Sequence, residues 1–133
     1  MSPELFIPEE FGLKDGRPTK SSDCYALGMV VYEVLSGQQP FSGYKGYAVV
    51  VRVLQGERPL RPRGAGGMWF TDDIWSVLQR CWKRSPGDRP GVEGILQYLE
   101  VLELRGHQVS EEIMDRVRTF FILARRTASL MSL

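Results

Sequence analysis

Residues 22–41 read Ser22-Asp23-Cys24-Tyr25-Ala26-Leu27-Gly28-Met29-Val30-Val31-Tyr32-Glu33-Val34-Leu35-Ser36-Gly37-Gln38-Gln39-Pro40-Phe41. Ser21, Ser22 and Asp23 are residue types that cap helices, because a short side-chain oxygen can accept from the free amides of the first turn. Tyr25, Leu27, Val30, Val31, Val34 and Leu35 then cover most of a helix circumference. A helix apolar nearly all round is buried on every side. The stretch 23–36 is therefore the expected centre of the fold. Gly37 is expected to end it, since glycine takes the left-handed backbone at a helix C-terminus without a Cβ penalty.

Further helices follow outward from that centre. Val49, Val50, Val53 and Leu54 recur at helical spacing and predict a helix over 45–55. Residues 56–70 hold four Gly and two Pro, so a long loop without regular structure is expected there. Thr71 caps a third helix, with Asp72 and Asp73 adding negative charge to its first turn. Its apolar face is Ile74, Val77, Leu78, Cys81 and Trp82. Pro86-Gly87 makes a turn, and Val92, Ile95, Leu96, Leu99 and Leu102 predict a helix over 91–104. Ile113, Val117, Phe120, Phe121 and Ala124 predict a last helix over 110–125. Residues 1–20 read as a turn of helix and then a loop, punctuated by Gly12, Gly16 and Pro18. No strand, repeat or low-complexity tract stands out. The expected class is all-α, with about five helices.

Composition narrows the function. The chain has 133 residues, 43% of them apolar, which is enough for one folded domain. A net charge of +1 gives no electrostatic case for nucleic acid. No apolar run approaches the ~20 residues of a membrane span, and the acidic start MSPELFIPEE lacks the basic region of a signal peptide. Cys24 and Cys81 are far apart and have no Cys or His at ligand spacing. They read as reduced, buried thiols of a cytoplasmic protein rather than as a metal or redox motif. Trp75 and Trp82 share a helix whose other face is polar and are expected in the core. His107 reads as a loop histidine.

Three blocks in order carry a family resemblance. They are Ser2-Pro3-Glu4; the Ser-Asp-x-Tyr-x-x-Gly…Glu…Gly-x-x-Pro-Phe of residues 22–41; and Cys81-Trp82-x-x-x-Pro86-x-x-Arg89-Pro90. The set resembles the C-terminal half of the large lobe of a protein kinase, of the tyrosine-kinase or tyrosine-kinase-like type. The coverage is residues 1–104, from the end of the activation segment through the last kinase helix. Residues 105–133 lie beyond the pattern as a helical extension. The resemblance implies a structural ion pair between Glu4 and Arg89, two charges that in isolation read as solvated surface groups. It also implies core roles for Gly28, Trp82 and Pro90. In the family, the aspartate at the place of Asp23 anchors backbone amides of the catalytic loop; with that loop missing, helix capping is the role left to it.

The parts of a kinase that do chemistry are a Gly-rich loop, a strand lysine, a His-Arg-Asp loop and an Asp-Phe-Gly metal site. The sequence contains none of them. Gly64, Gly66 and Gly67 lack the spacing of a phosphate loop, His107 is followed by Gln108, and Asp15-Gly16 follows Lys14. No residue is therefore assigned to catalysis, cofactor or metal. ATP and Mg²⁺ belong to a longer parent, of which Met1 is expected to be an internal methionine. The chain alone is expected to be inactive, with a non-catalytic protein-interaction module as the alternative. An exposed apolar patch over helix 23–36 is expected to drive self-association or require a protein partner. A fold-back of 110–125 over that patch is the competing outcome.

Overall fold

The computed structural model describes residues 1–91, 93–95, 97, 115, 119 and 122. Their regular structure is helical, with no strand among them. Helix α1 is Pro3–Phe6, α2 is Lys20–Ser36, α3 is Tyr47–Leu54 and α4 is Asp72–Cys81. Three 3-10 turns, Pro8–Phe11, Gly64–Gly67 and Pro86–Asp88, lie between or after them. Residues 93–95 and 97 are helical, within the helix expected over 91–104. Asp115, Thr119 and Ile122 are also helical. The rest of the stretch 105–133, including His107 and most of the helix expected over 110–125, lies outside the described residues.

The longest helix starts earlier than its sequence suggests. Thr19, not Ser21, Ser22 or Asp23, is the cap. The Thr19 hydroxyl accepts from the Ser22 amide at 3.1 Å, and the Ser22 hydroxyl accepts from the Thr19 amide at 2.7 Å. This reciprocal pair satisfies two groups at once, whereas a cap at Asp23 would satisfy one. Asp23 thus sits inside the first turn. The helix ends at Gly37, whose φ of 71° is the left-handed conformation that glycine takes most easily. Thr71 caps α4 by accepting from the Ile74 amide at 3.2 Å.

The core forms where α2 crosses α4. Leu27, Val31 and Leu35 on one face of α2 meet Ile74, Val77, Leu78 and Cys81, and Ile95 closes the far side. The void left among them is about 10 Å³, no more than a single water could use. Tyr32, Phe70, Trp75 and Trp82 continue the core as edge-on and tilted ring pairs with centroids 5.5–6.0 Å apart, the geometry in which a ring edge meets a ring face favourably. Phe41 takes φ 58°, a costly value for a residue with a Cβ; its ring packs on this core, and the burial offsets the cost.

Gly28 sets how closely the two helices approach. A Cβ at that position would lie 2.7 Å from Trp82 Nε1 and 2.9 Å from the Cys81 Cβ. Only a residue without a side chain lets the buried indole lie against the α2 backbone. Gly28→Ala should therefore destabilise the chain by about 1–3 kcal/mol, despite the ~1 kcal/mol that alanine gains over glycine in a helix. Urea denaturation of the two proteins checks this; equal or greater stability of the variant would show that the helices are free to move apart.

Candidate functional site

The densest polar arrangement is built around Arg89. Proline on each side shapes its backbone. Pro86 opens the turn before it, and Pro90 disfavours helical geometry at the preceding residue, so Arg89 is extended at φ −83°, ψ 147°. The side chain enters the core and is 8% exposed, while Glu4, delivered by α1, is fully buried. Two parallel bonds join them: Nη1 to Oε1 at 2.7 Å and Nη2 to Oε2 at 2.9 Å. Arg89 also donates through Nε to the Lys83 carbonyl, through Nη1 to the Ser21 carbonyl and through Nη2 to the Arg84 carbonyl. All five N–H donors of the guanidinium are used.

This geometry ties three parts of the chain together: α1, the first turn of α2, and the segment that leaves α4. Tyr25 completes the cluster. The guanidinium carbons of Arg89 and Arg58 lie over its ring, 5.0 and 5.3 Å from the centroid. Arg58 reaches in from the loop after α3 and donates to the Trp82 carbonyl at 2.7 Å and to the Val53 and Glu57 carbonyls. Burial pushes the Tyr25 phenol up to about 12, so it stays protonated, and its hydroxyl has no hydrogen-bond partner among the described residues. The Trp82 indole N–H, facing Gly28, is equally unpartnered there.

The Glu4 carboxyl lies below the ordinary glutamate range. Burial acts to raise it, but the hydrogen bonds from Arg89, the bond from its own backbone amide and the guanidinium charge outweigh that. Asp23 differs. It is half-buried, no hydrogen bond or ion pair reaches its carboxylate among the described residues, and burial alone raises its pKa. The structure thus brings Glu4 and Arg89 together and sets Gly28 against Trp82. Pro90 adjoins Arg89, while Asp23 stands apart on another side of α2.

The one Gly-rich stretch, Gly64–Gly67, forms a 3-10 turn in which Gly67 packs on the Pro62 carbonyl. It does not open directly onto a helix, as a phosphate-binding loop does. Among these residues no group of three His, Cys, Asp or Glu side chains is placed to hold an ion. Cys24 and Cys81 are free and buried. Arg58 and the Thr19 cap are the structural residues that sequence reasoning passed over; the Thr-x-x-Ser spacing of residues 19–22 was the available signal for the cap.

The lobe-like helical arrangement and the buried Glu–Arg tie belong to one class. A model of the protein tyrosine and serine/threonine kinase family matches residues 2–99. The chain belongs to that family. It is 33% identical over 102 residues to serine/threonine-protein kinase PkaA of Streptomyces coelicolor, covering 76% of this chain and 17% of that protein. It is 36% identical over 102 residues to the cytoplasmic tyrosine-protein kinase BMX of Mus musculus, covering 76% of this chain and 14% of the relative. With the probable serine/threonine-protein kinase gdt2 of Dictyostelium discoideum the figures are 32% over 105 residues, 78% and 6%. The chain thus spans less than a fifth of the length of these relatives.

Two expectations follow from the cluster. A carboxylate depressed in the folded state adds stability above its unfolded pKa and loses that contribution as pH falls through the folded value. Glu4→Gln should cost about 3–5 kcal/mol at neutral pH, because it leaves a buried guanidinium uncompensated. It should also flatten the loss of stability that the unmodified chain shows below about pH 4. Denaturant midpoints across that range report both effects, and a variant with the parent's acid profile would deny Glu4 its part. Conversely, Tyr25→Phe removes a buried hydroxyl without a partner and should raise stability by about 1 kcal/mol. A fall of that size would mean the hydroxyl is satisfied in solution.

Proposed function

We propose that this chain is the C-terminal half of a protein-kinase large lobe, and that its parent transfers the γ-phosphoryl group of ATP to a hydroxyl of a protein substrate. The observation that carries the reading is the bidentate Glu4–Arg89 pair. It joins residues 85 positions apart and sits within a family match that covers residues 2–99. The relatives' names include both serine/threonine and tyrosine kinases, and both acceptor classes remain open for the parent. On this reading residues 1–104 are the lobe portion and residues 105–133 a helical extension. Asp23, with its unpartnered carboxylate, is the anchor for the parent's catalytic loop. ATP and Mg²⁺ are cofactors of the parent and not of this chain.

The same chain by itself is proposed to be catalytically silent. Phosphoryl transfer depends on holding the phosphates, the metal ions and the acceptor in line. The sequence offers no Gly-rich loop, strand lysine, His-Arg-Asp or Asp-Phe-Gly to do so. A cytoplasmic location agrees with the two free thiols. Among the described residues no helix is long and apolar enough to cross a membrane. The second reading is a protein-interaction module derived from a kinase lobe. It draws support from α2, where, among the described residues, Val30, Glu33, Val34 and Gly37 border an open groove of about 290 Å³.

Purified chain should show no heat of binding when titrated with ATP and Mg²⁺, and no transfer of labelled phosphate to a mixed peptide library. Transfer that persists through repurification and depends on Mg²⁺ would overturn the silent assignment. It would require a phosphate site made from residues other than those of the family pattern.

A further inference from the structure

Spacing in the sequence relates Cys24 to Cys81 no more than it relates Glu4 to Arg89, yet the fold sets the two thiols side by side. Cys24 lies on α2 one turn before Gly28, and a Cβ on Gly28 would be 2.9 Å from the Cys81 Cβ at the end of α4. Both cysteines are free, fully buried and part of the core cluster between those helices. The Cys81 thiol donates a hydrogen bond to the Cys24 sulfur. The Gly91 amide donates to the same sulfur, and the Arg89 guanidinium adds its charge nearby.

The two sulfurs are therefore unlike. The hydrogen bond from Cys81, followed by that from the Gly91 amide and the charge of Arg89, holds the Cys24 thiol below the ordinary cysteine range against the opposing effect of burial. Donation to Cys24, together with burial, pushes the Cys81 thiol far up. The thiolate is the form that attacks. A pair in which one sulfur gains thiolate character and its neighbour keeps its proton has an attacking and a resolving thiol already in contact. The core around them also selects among oxidation products. The void beside Cys81 is about 10 Å³ and is lined by Leu27, Val31, Ile74, Val77 and Leu78 among others. Sulfinic or sulfonic acid would add charged oxygens to this apolar core with neither room nor partners for them. A disulfide adds no atom.

We propose that Cys24 and Cys81 are a site of reversible oxidation, closing to a disulfide that ties α2 to α4 when hydrogen peroxide reaches them. The Cys24 thiolate attacks one oxygen of the peroxide. The O–O bond breaks, and hydroxide leaves with its electron pair and takes up the proton that Cys24 gave up, forming water. The Cys81 sulfur then attacks the sulfenic acid left on Cys24. The S–S bond forms, the S–O bond breaks, and the hydroxyl leaves with the Cys81 proton as a second water. Together the two thiols lose two protons and two electrons, and one peroxide becomes two waters. Both sulfurs are closed to solvent, so the oxidant enters during local opening of the segment that carries Arg89 and Gly91, and opening sets the rate. In a reducing compartment the resting state is the dithiol and the bond is transient. The pair needs no nucleotide and stands apart from the kinase-lobe reading.

The full chain exposed to hydrogen peroxide without denaturant should lose both titratable thiols. Digestion should yield the Cys24 and Cys81 peptides joined, lighter than their sum by two hydrogens, and dithiothreitol should restore the thiols. Because the bond closes the long loop from 24 to 81 in native geometry, the oxidised chain should unfold at a urea midpoint higher by about 1 M or more. These measurements use the unsubstituted chain and depend on no variant folding. Cys81→Ala should leave a sulfenic acid on Cys24 that dimedone traps, whereas Cys24→Ala should slow oxidation at the remaining thiol by about tenfold or more. In the unsubstituted chain, two thiols that stay free, oxygen added to either cysteine, a bond between two copies, or a lowered urea midpoint would each overturn the proposal. Equal peroxide reactivity of the two single variants would overturn the order of attack.

Discussion

The guanidinium of Arg89 is the constraint on which the described structure depends. It is a charge inside the core, and its burial is tolerable only because every one of its donors meets an acceptor. Those acceptors come from α1, from the start of α2 and from the exit of α4. None of these segments can move away without leaving part of a buried cation unsatisfied. Lysine, a point charge with three donors and no planar fork, could not bind both Glu4 oxygens in parallel and reach three carbonyls besides.

The same chemistry recurs at lower stakes elsewhere and gives the chain's preference for arginine a structural meaning. Arg58 donates to the carbonyls of Val53, Glu57 and Trp82, Arg84 to that of Leu54, and Arg61 to that of Phe70. These carbonyls lie at or just beyond the ends of α3 and α4, or at the start of the cap of α4. A helix leaves its last carbonyls without internal partners, and in a chain of short helices such ends are frequent. Long, forked side chains from neighbouring segments satisfy them and cross-link the elements in doing so. Among the described residues, Arg58, Arg61, Arg84 and Arg89 thus act as braces between segments.

How far the sequence discloses all this depends on the range of the interaction. Helices α2, α3 and α4 are legible because apolar periodicity, the Thr71 cap and the Gly37 terminus are local. The exact start of α2 is not, because Thr19, Ser21, Ser22 and Asp23 are all competent caps. The choice falls to whichever pair closes reciprocally, which only the Thr19–Ser22 geometry decides. Glu4 and Arg89 are beyond any local rule. Only the family pattern links them, and no spacing argument could. Arg58 was hidden for a different reason. Its neighbours Glu57, Pro59 and the glycines after it describe a loop correctly, and a loop residue whose side chain turns back into the core carries no periodic signature.

A final consequence concerns α2 itself. Its sequence is apolar nearly all round, which argues for neighbours on every side, yet the described structure covers it on the α4 side and leaves Val30 and Val34 only half-buried. The mismatch between an all-round apolar sequence and one-sided cover is physical information: residues chosen for burial are meeting solvent. Hydrophobic stabilisation of about 25 cal/mol per Å² of apolar surface removed from water remains available there. The carboxylate of Asp23, half-buried and without a partner among the described residues, lies on the same side of the helix, so a neighbour for that side must answer a charge as well as apolar surface.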